Sequence, residues 1–123
     1  MTKKQLAGVA AKLNRFVQGA PVTVATPDNG GKKGDVKALK TSQGKVFQMR
    51  FFEVAPPVRL LGVFPQFDVF LGCRIYLREE LEGRWSEEVS GMFRQLEAMG
   101  RDMPECLDYS NLDAVLSNWK VSI

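Results

Sequence analysis

Three stretches in the middle of the chain decide the fold: VFQMRFFEV (46–54), VRLLGVF (58–64) and FDVFLGCRIYL (67–77). Each is dense in β-branched and aromatic residues, which suit a pleated, half-buried surface. Pro56-Pro57 and Pro65-Gln66 separate them, and proline cannot donate to a central ladder. The segments therefore read as three consecutive strands of an antiparallel meander. Alternation then sorts the side chains. Phe47, Met49 and Phe51 share one face of the first strand. In the third, Val69, Leu71, Cys73, Ile75 and Leu77 share a face, leaving Phe70, Arg74, Tyr76 and Arg78 on the other. Cys73 reads as a small core residue.

Upstream, Thr2 is placed to cap a helix whose apolar residues Leu6, Val9, Ala10, Leu13, Phe16 and Val17 follow helical spacing. Gly19 and Pro21 stop it. Val22-Thr23-Val24 is long enough only for an edge strand, Thr26 to Gly34 is a basic, glycine-rich loop by composition, and Val36 to Leu39 reads as a short helix or turn. Downstream, Ser86 caps a helix over 86–99, with Glu87 and Glu88 in its first turn. Trp85, Val89, Met92, Phe93, Leu96 and Met99 form its buried stripe. Ser110 with Asp113 opens a last helix over 111–119, packed through Leu112, Val115, Leu116 and Trp119. The expectation is an α+β fold in which a meander lies between helical ends, with residues 1–123 forming one domain.

The 123 residues are 45% hydrophobic and 25% charged, an ordinary globular balance. A chain of this size buries roughly two-thirds of its unfolded surface, so it needs no metal or disulfide to fold. Its only cysteines, Cys73 and Cys106, lie far apart in sequence, which fits a reducing cytoplasm. No apolar run reaches the roughly 20 residues that span a bilayer, and the N-terminus is not expected to act as a signal peptide. The chain has no histidine. That excludes Ser–His and Cys–His nucleophile pairs, imidazole acid–base catalysis and His-ligated zinc. Charge is unevenly spread. Residues 1–50 carry ten Lys or Arg against two Asp, a net of +8, and residues 51–123 carry seven basic against twelve acidic residues, a net of −5. Such asymmetry fits polyanion binding on one face, or pairing of the two halves with each other.

The third strand carries Arg74-x-Tyr76-x-Arg78 on one face. A two-residue turn at Pro65-Gln66 pairs Phe64 with Phe67 and sets Arg59 opposite Gly72, diagonal to Arg74. The place of Arg50 depends on the first connection. A three-residue link (55–57) puts it on the face away from Arg59, and a four-residue link (55–58) brings them together. Guanidinium forks bind phosphate bidentately and stay charged, and a neighbouring tyrosine can stack a base or donate a proton. The competing reading is an ordinary solvated sheet face, its arginines occupied by Glu79, Glu80 and Glu82. Gly30-Gly31-Lys32-Lys33-Gly34 lacks the spacing of a phosphate-binding loop. Glu79, Glu80, Glu87 and Glu88 read as solvated helix ends.

VKALK (36–40), GKVFQMR (44–50), VRLLGVF (58–64) and the strand at 67–77 together resemble the core of the RelE/ParE-like toxins. That family shows a Val-Lys-x-Leu segment, an aromatic strand ending in Arg, and a next strand with Arg beside aliphatics. The likeness covers residues 35–78; the chain opens with a helix where the family opens with a strand, and continues beyond the likeness with net acidic sequence. The resemblance implies a curved antiparallel sheet packed on N-terminal helices, and a toxin whose protein partner is a cognate antitoxin. Ribonuclease members act on ribosome-bound mRNA without metal or other cofactor, using basic residues and a tyrosine to activate the ribose 2′-hydroxyl. Carried over by position, the catalytic set is Arg59, Arg74, Tyr76 and Arg50. Lys32, Lys33, Lys37, Lys40, Lys45 and Arg78 supply the surrounding RNA contacts. Two other readings stay open: a noncatalytic interaction module of phage or mobile-element type, whose acidic half docks a basic partner, and a plain nucleic-acid binder.

Overall fold

The computed structural model describes residues 1–27, 34–39, 45–100 and 106–121. The basic loop around Lys32 and Lys33, and Lys40 with it, lie outside these. Helix α1 (Lys3–Val17) opens on Thr2 as expected. The Thr2 hydroxyl accepts the Gln5 N–H at 3.1 Å, and Gln5 Oε1 accepts the Thr2 N–H at 2.8 Å, a reciprocal capping box. Gly19 ends the helix at φ +95°, a conformation glycine adopts without a Cβ penalty.

The strands are β1 (Val22–Ala25), β2 (Val36–Ala38), β3 (Phe47–Phe51), β4 (Val58–Gln66), β5 (Val69–Leu77) and β6 (Trp119–Val121). They form one sheet in the order β5-β4-β3-β2-β1-β6. The meander is present as β3-β4-β5, and β2 joins it antiparallel. β1 runs parallel to both β2 and β6, so the sheet is mixed. Val22–Ala25 is thus an interior strand, not an edge, and Val36–Ala38 is a strand, not a turn. After β5 come the short helix α2 (Arg78–Leu81) and helix α3 (Trp85–Ala98). Among the described residues no helix is long and apolar enough to cross a membrane.

The segment read as a last helix is instead a 3-10 turn (Leu112–Ala114) leading into β6. Its apolar residues do pack as expected: Leu112 and Val115 are buried, with Leu116 and Trp119 against the same cluster. Four hydrogen bonds and a strand pairing hold the segment extended. The Asp68 N–H donates to Val115 O at 2.8 Å, and the Asp68 carboxylate accepts the Ser117 N–H and hydroxyl at 2.7 and 2.6 Å. Asn118 donates to Ala20 O at 2.7 Å, and β6 pairs with β1. A run this short has little helical stability of its own, so distant partners decide its conformation.

The sheet separates two apolar clusters. On the α1 side lie Val36, Phe47, Met49, Phe51, Val58 and Phe64, with Val9 of α1. On the α3 side lie Leu61 and Val63 with Leu81, Val89, Met92 and Leu96. The Phe47 and Phe64 rings meet edge to face at 4.9 Å, a favoured aromatic geometry.

Register differs from expectation in both hairpins. β4 and β5 turn at Phe67-Asp68, with Gln66 opposite Val69. Pro65 lies inside β4 at an irregularity between Val63 and Gln66, a place where proline's missing N–H is tolerated. A second irregularity leaves Cys73 unpaired between Gly72 and Arg74. Because one extra residue reverses the alternation, Phe70 packs on the α1 side while Leu71, Cys73 and Tyr76 pack on the α3 side. Arg59 therefore faces Tyr76, and Gly72 faces Gly62.

Gly62 is required by this arrangement. A Cβ there would collide with the Leu71 carbonyl oxygen and come 2.5 Å from Phe70 Cζ. Both are fixed, the first by the ladder and the second by packing 5.1 Å from Phe64. Gly62→Ala is expected to cost about 1–3 kcal/mol, as overpacking does in a tight core. Urea unfolding at constant m-value checks this; an unchanged midpoint would show that β5 can shift outward freely.

Candidate nucleic-acid interface

The α3-side face of the sheet carries a row of polar residues that alternation forces there. Lys37 on β2 pairs with Gln48 on β3, and Arg50 on β3 pairs with Arg59 on β4. The β3–β4 connection runs over 52–57, since Phe51 faces Val58. That even-numbered link places Arg50 and Arg59 together, the outcome expected of the four-residue alternative. Arg78 begins α2 at the end of β5, its N–H donating to Pro57 O at 2.9 Å.

These side chains line a cleft of about 260 Å3, with the buried Gln48, Arg50 and Arg59 at its floor and Lys37, Arg78, Glu82 and Trp85 around them. Arg50 and Arg59 are only 8% and 6% exposed, so water does little to offset their charge. Each guanidinium carbon lies 5.2 Å from the centre of the Phe52 ring, whose face attracts cations. Arg50 Nε donates to Gly34 O at 2.8 Å, and Arg59 Nη1 donates to Val58 O at 3.2 Å. Among the described residues no carboxylate forms an ion pair with Arg59. Burial, with Arg50 and Arg78 adding repulsion, pushes the Arg59 guanidinium down to about 10. Burial also lowers Arg50, with Asp35 opposing. Arginines that are buried, clustered and held at a cost of this kind are poised to accept an anion, which would relieve the repulsion.

Arg74 and Tyr76 share that face of the sheet, Tyr76 directly across from Arg59, but both are engaged by α3. Arg74 Nη1 lies 2.9 Å from Glu88 Oε2, and the Tyr76 hydroxyl donates to the same oxygen. Arg84 holds the other oxygen at 3.2 Å. Burial and the bond to Glu88 raise the Tyr76 phenol, while bonds from Tyr76 and Arg74 lower the Glu88 carboxyl. Glu88 thus fastens α3 to β5. Its role as a solvated helix end does not hold, and the arginine it occupies is one that sequence had grouped with Arg59. Lys37 lines the cleft, and Lys45 lies near Asp108, whose carboxyl is lowered by Ser110 and further by Lys45.

Sequence reasoning missed Trp85, Gln48 and Phe52 as site residues. Trp85 fits the helical stripe that begins α3, and its ring does pack against the second cluster. Only the position of α2 reveals that it also lines the cleft. Among the described residues no group of three or more His, Cys, Asp or Glu comes together to hold a metal. Comparison of the chain with protein-family models, curated proteins and solved structures finds no match.

Proposed function

We propose that this protein binds RNA through the Arg50/Arg59 cleft and cuts it there, as a cytoplasmic RelE-like toxin of a toxin–antitoxin pair acting on mRNA. The observation that carries the reading is the pair of buried guanidiniums facing each other across β3 and β4, with Arg78 and Lys37 at the rim. Phosphodiester is the ligand class that such forks bind, and four cations along one cleft track a backbone. In the cutting step the ribose 2′-oxygen attacks phosphorus, and the bond to the 5′-oxygen breaks. Arg59 and Arg50 offset the charge that builds on the phosphoryl oxygens. Glu82, the carboxylate at the cleft wall, accepts the 2′-hydroxyl proton, and the departing 5′-oxygen takes a proton from water. Arg74 and Tyr76 act as positioning residues, through Glu88 and α3.

The test is tightly controlled induction in bacteria with mRNA ends mapped. Growth arrest with new cuts is expected for the wild type. Glu82→Gln should retain RNA binding but lose the cuts. Arrest without cuts would overturn the ribonuclease reading. A second reading is favoured by the engagement of both Arg74 and Tyr76 by Glu88: a noncatalytic module of the same fold that uses its charged face for a partner. Harmless induction of a folded protein that is recovered in a stable complex would select it.

A further inference from the structure

The cleft holds more than cations. Trp85 lines its wall, half-buried, and packs against the second apolar cluster. Trp85 and Glu88 are three residues apart, so they lie on neighbouring positions of one helical face. Glu88 is bonded to both Arg74 and Tyr76 of β5. The tryptophan is thus held on a helix end fixed to the sheet, in the cleft that the arginines line. Gln48, on the floor, is 4% exposed and lines the same cavity; its amide offers both a donor and an acceptor.

We infer that the cleft takes single-stranded RNA one nucleotide at a time, with a base stacked on Trp85 and the adjoining phosphate held by Arg59 and Arg78. The inference rests on the RNA-binding reading above and deepens it by naming the strandedness and the base platform. A cavity of about 260 Å3 lies just below the roughly 300–1,000 Å3 of small-molecule pockets, which suits one base with its phosphate and excludes a double helix. The stacking face of a paired base is covered by its neighbours, so an aromatic recessed beside buried arginines reaches only an unstacked base. Surface lysines alone would bind duplex and single strand alike; the recessed Trp85 does not.

The full chain carrying Trp119→Phe leaves Trp85 as its one tryptophan and so as a direct reporter. It is titrated with a short unstructured 2′-O-methyl RNA, which cannot be cut, and with the corresponding blunt duplex. Binding is followed separately by anisotropy of a label on the RNA. The single strand should bind and quench Trp85, and the duplex should do neither at the same concentration. Trp85→Leu should weaken single-strand binding roughly 5- to 100-fold, the worth of one stacked base, and Trp85→Phe should restore most of it. RNA binding with unchanged Trp85 emission, and equal affinity for the Leu variant, would overturn this inference while leaving the RNA-binding reading in place. Absence of any RNA binding by a folded protein would overturn both.

Discussion

Arg59→Met protein is expected to bind RNA at least about 30-fold more weakly than the wild type, and yet to resist urea better. The two effects share one cause. Arg59 is nearly enclosed and stands between Arg50 and Tyr76 on the neighbouring strands, its guanidinium donating to its own Val58 carbonyl and lying over the Phe52 ring. Its basicity is lowered from the ordinary arginine range to about 10 by burial, Arg50 and Arg78. A base whose folded value lies below its unfolded one adds stability only above the unfolded value. That contribution is lost as pH falls from the ordinary arginine range through about 10, and at neutral pH the cost is fully present. Methionine keeps the apolar stem, fills similar space and can still lie against Phe52. Removing the charge should therefore gain about 1–2 kcal/mol, in line with replacing buried charge by apolar groups. The same change removes a desolvated phosphate contact, whose loss typically costs about 2–5 kcal/mol of binding. RNA anisotropy and urea midpoints measured on one preparation read both effects. Weaker binding together with lower stability would mean that Arg59 is a structural residue. Added phosphate or RNA should also raise the wild-type Tm more than that of the variant, because a ligand of the native state stabilises by mass action.

Lys12→Ala should have the largest effect on stability, a loss of about 3–5 kcal/mol, the usual consequence of stripping one partner from a buried ion pair. Lys12 lies on the face of α1 that meets the sheet and is 2% exposed. Its ammonium is 2.8 Å from Asp35 Oδ1, 2.8 Å from Glu53 Oε1, and donates to Arg50 O at 2.8 Å. Three rings surround it, Phe16, Phe51 and Phe52, at 5.6 to 5.9 Å. Alanine would leave the partly buried Asp35 carboxylate with Thr23 as its remaining side-chain partner. Burial pushes the Asp35 carboxyl up, but the bonds from Lys12 and Thr23 outweigh it and hold the group below 3.8. A carboxyl lowered in the fold adds stability above its unfolded value, and that contribution is lost as pH falls through its folded value. The wild type should therefore weaken only below about pH 4, whereas the Lys12→Ala protein should begin to weaken at higher pH, since burial is then opposed only by the bonds from Thr23. Chemical unfolding between pH 7 and 3 tests this. An acid limb that does not move would remove Lys12 as the cause. Lys12→Ala/Asp35→Asn should recover part of the loss, because the two residues share one interaction.

The Lys12 cluster also reaches the cleft. The Arg50 N–H donates to Asp35 O at 2.7 Å, and Arg50 O accepts from Lys12. The ion pair on one face of the sheet thereby fixes the strand that presents Arg50 on the other. Sequence gave no sign of this. Lys12 falls in the buried row Gln5, Val9, Lys12; of the expected apolar stripe Val9, Leu13 and Phe16 do pack on the core, while Leu6 and Val17 are 47% and 85% exposed. Polar residues occupy that row because they have partners: Gln5 donates to Pro56 O at 3.0 Å, and Lys12 has its carboxylates. A hydrophobic pattern cannot foresee a burial justified by bonding.

Local information determined the strand-forming centre, the Thr2 cap, the α3 stripe from Val89 to Leu96, and the residue types that make a phosphate cleft. Each depends on neighbours a few positions away, through alternation, helical spacing or capping. Which arginines meet depended on register, and register turned on an even-numbered connection at 52–57 and an unpaired Cys73, neither marked by composition. The tertiary structure alone decided that Glu88 would take Arg74 and Tyr76, that Trp85 would line one cleft with Arg59, and that 119–121 would be a strand. Those outcomes depend on contacts between segments far apart in sequence, whose closure entropy is met only when the whole sheet is assembled.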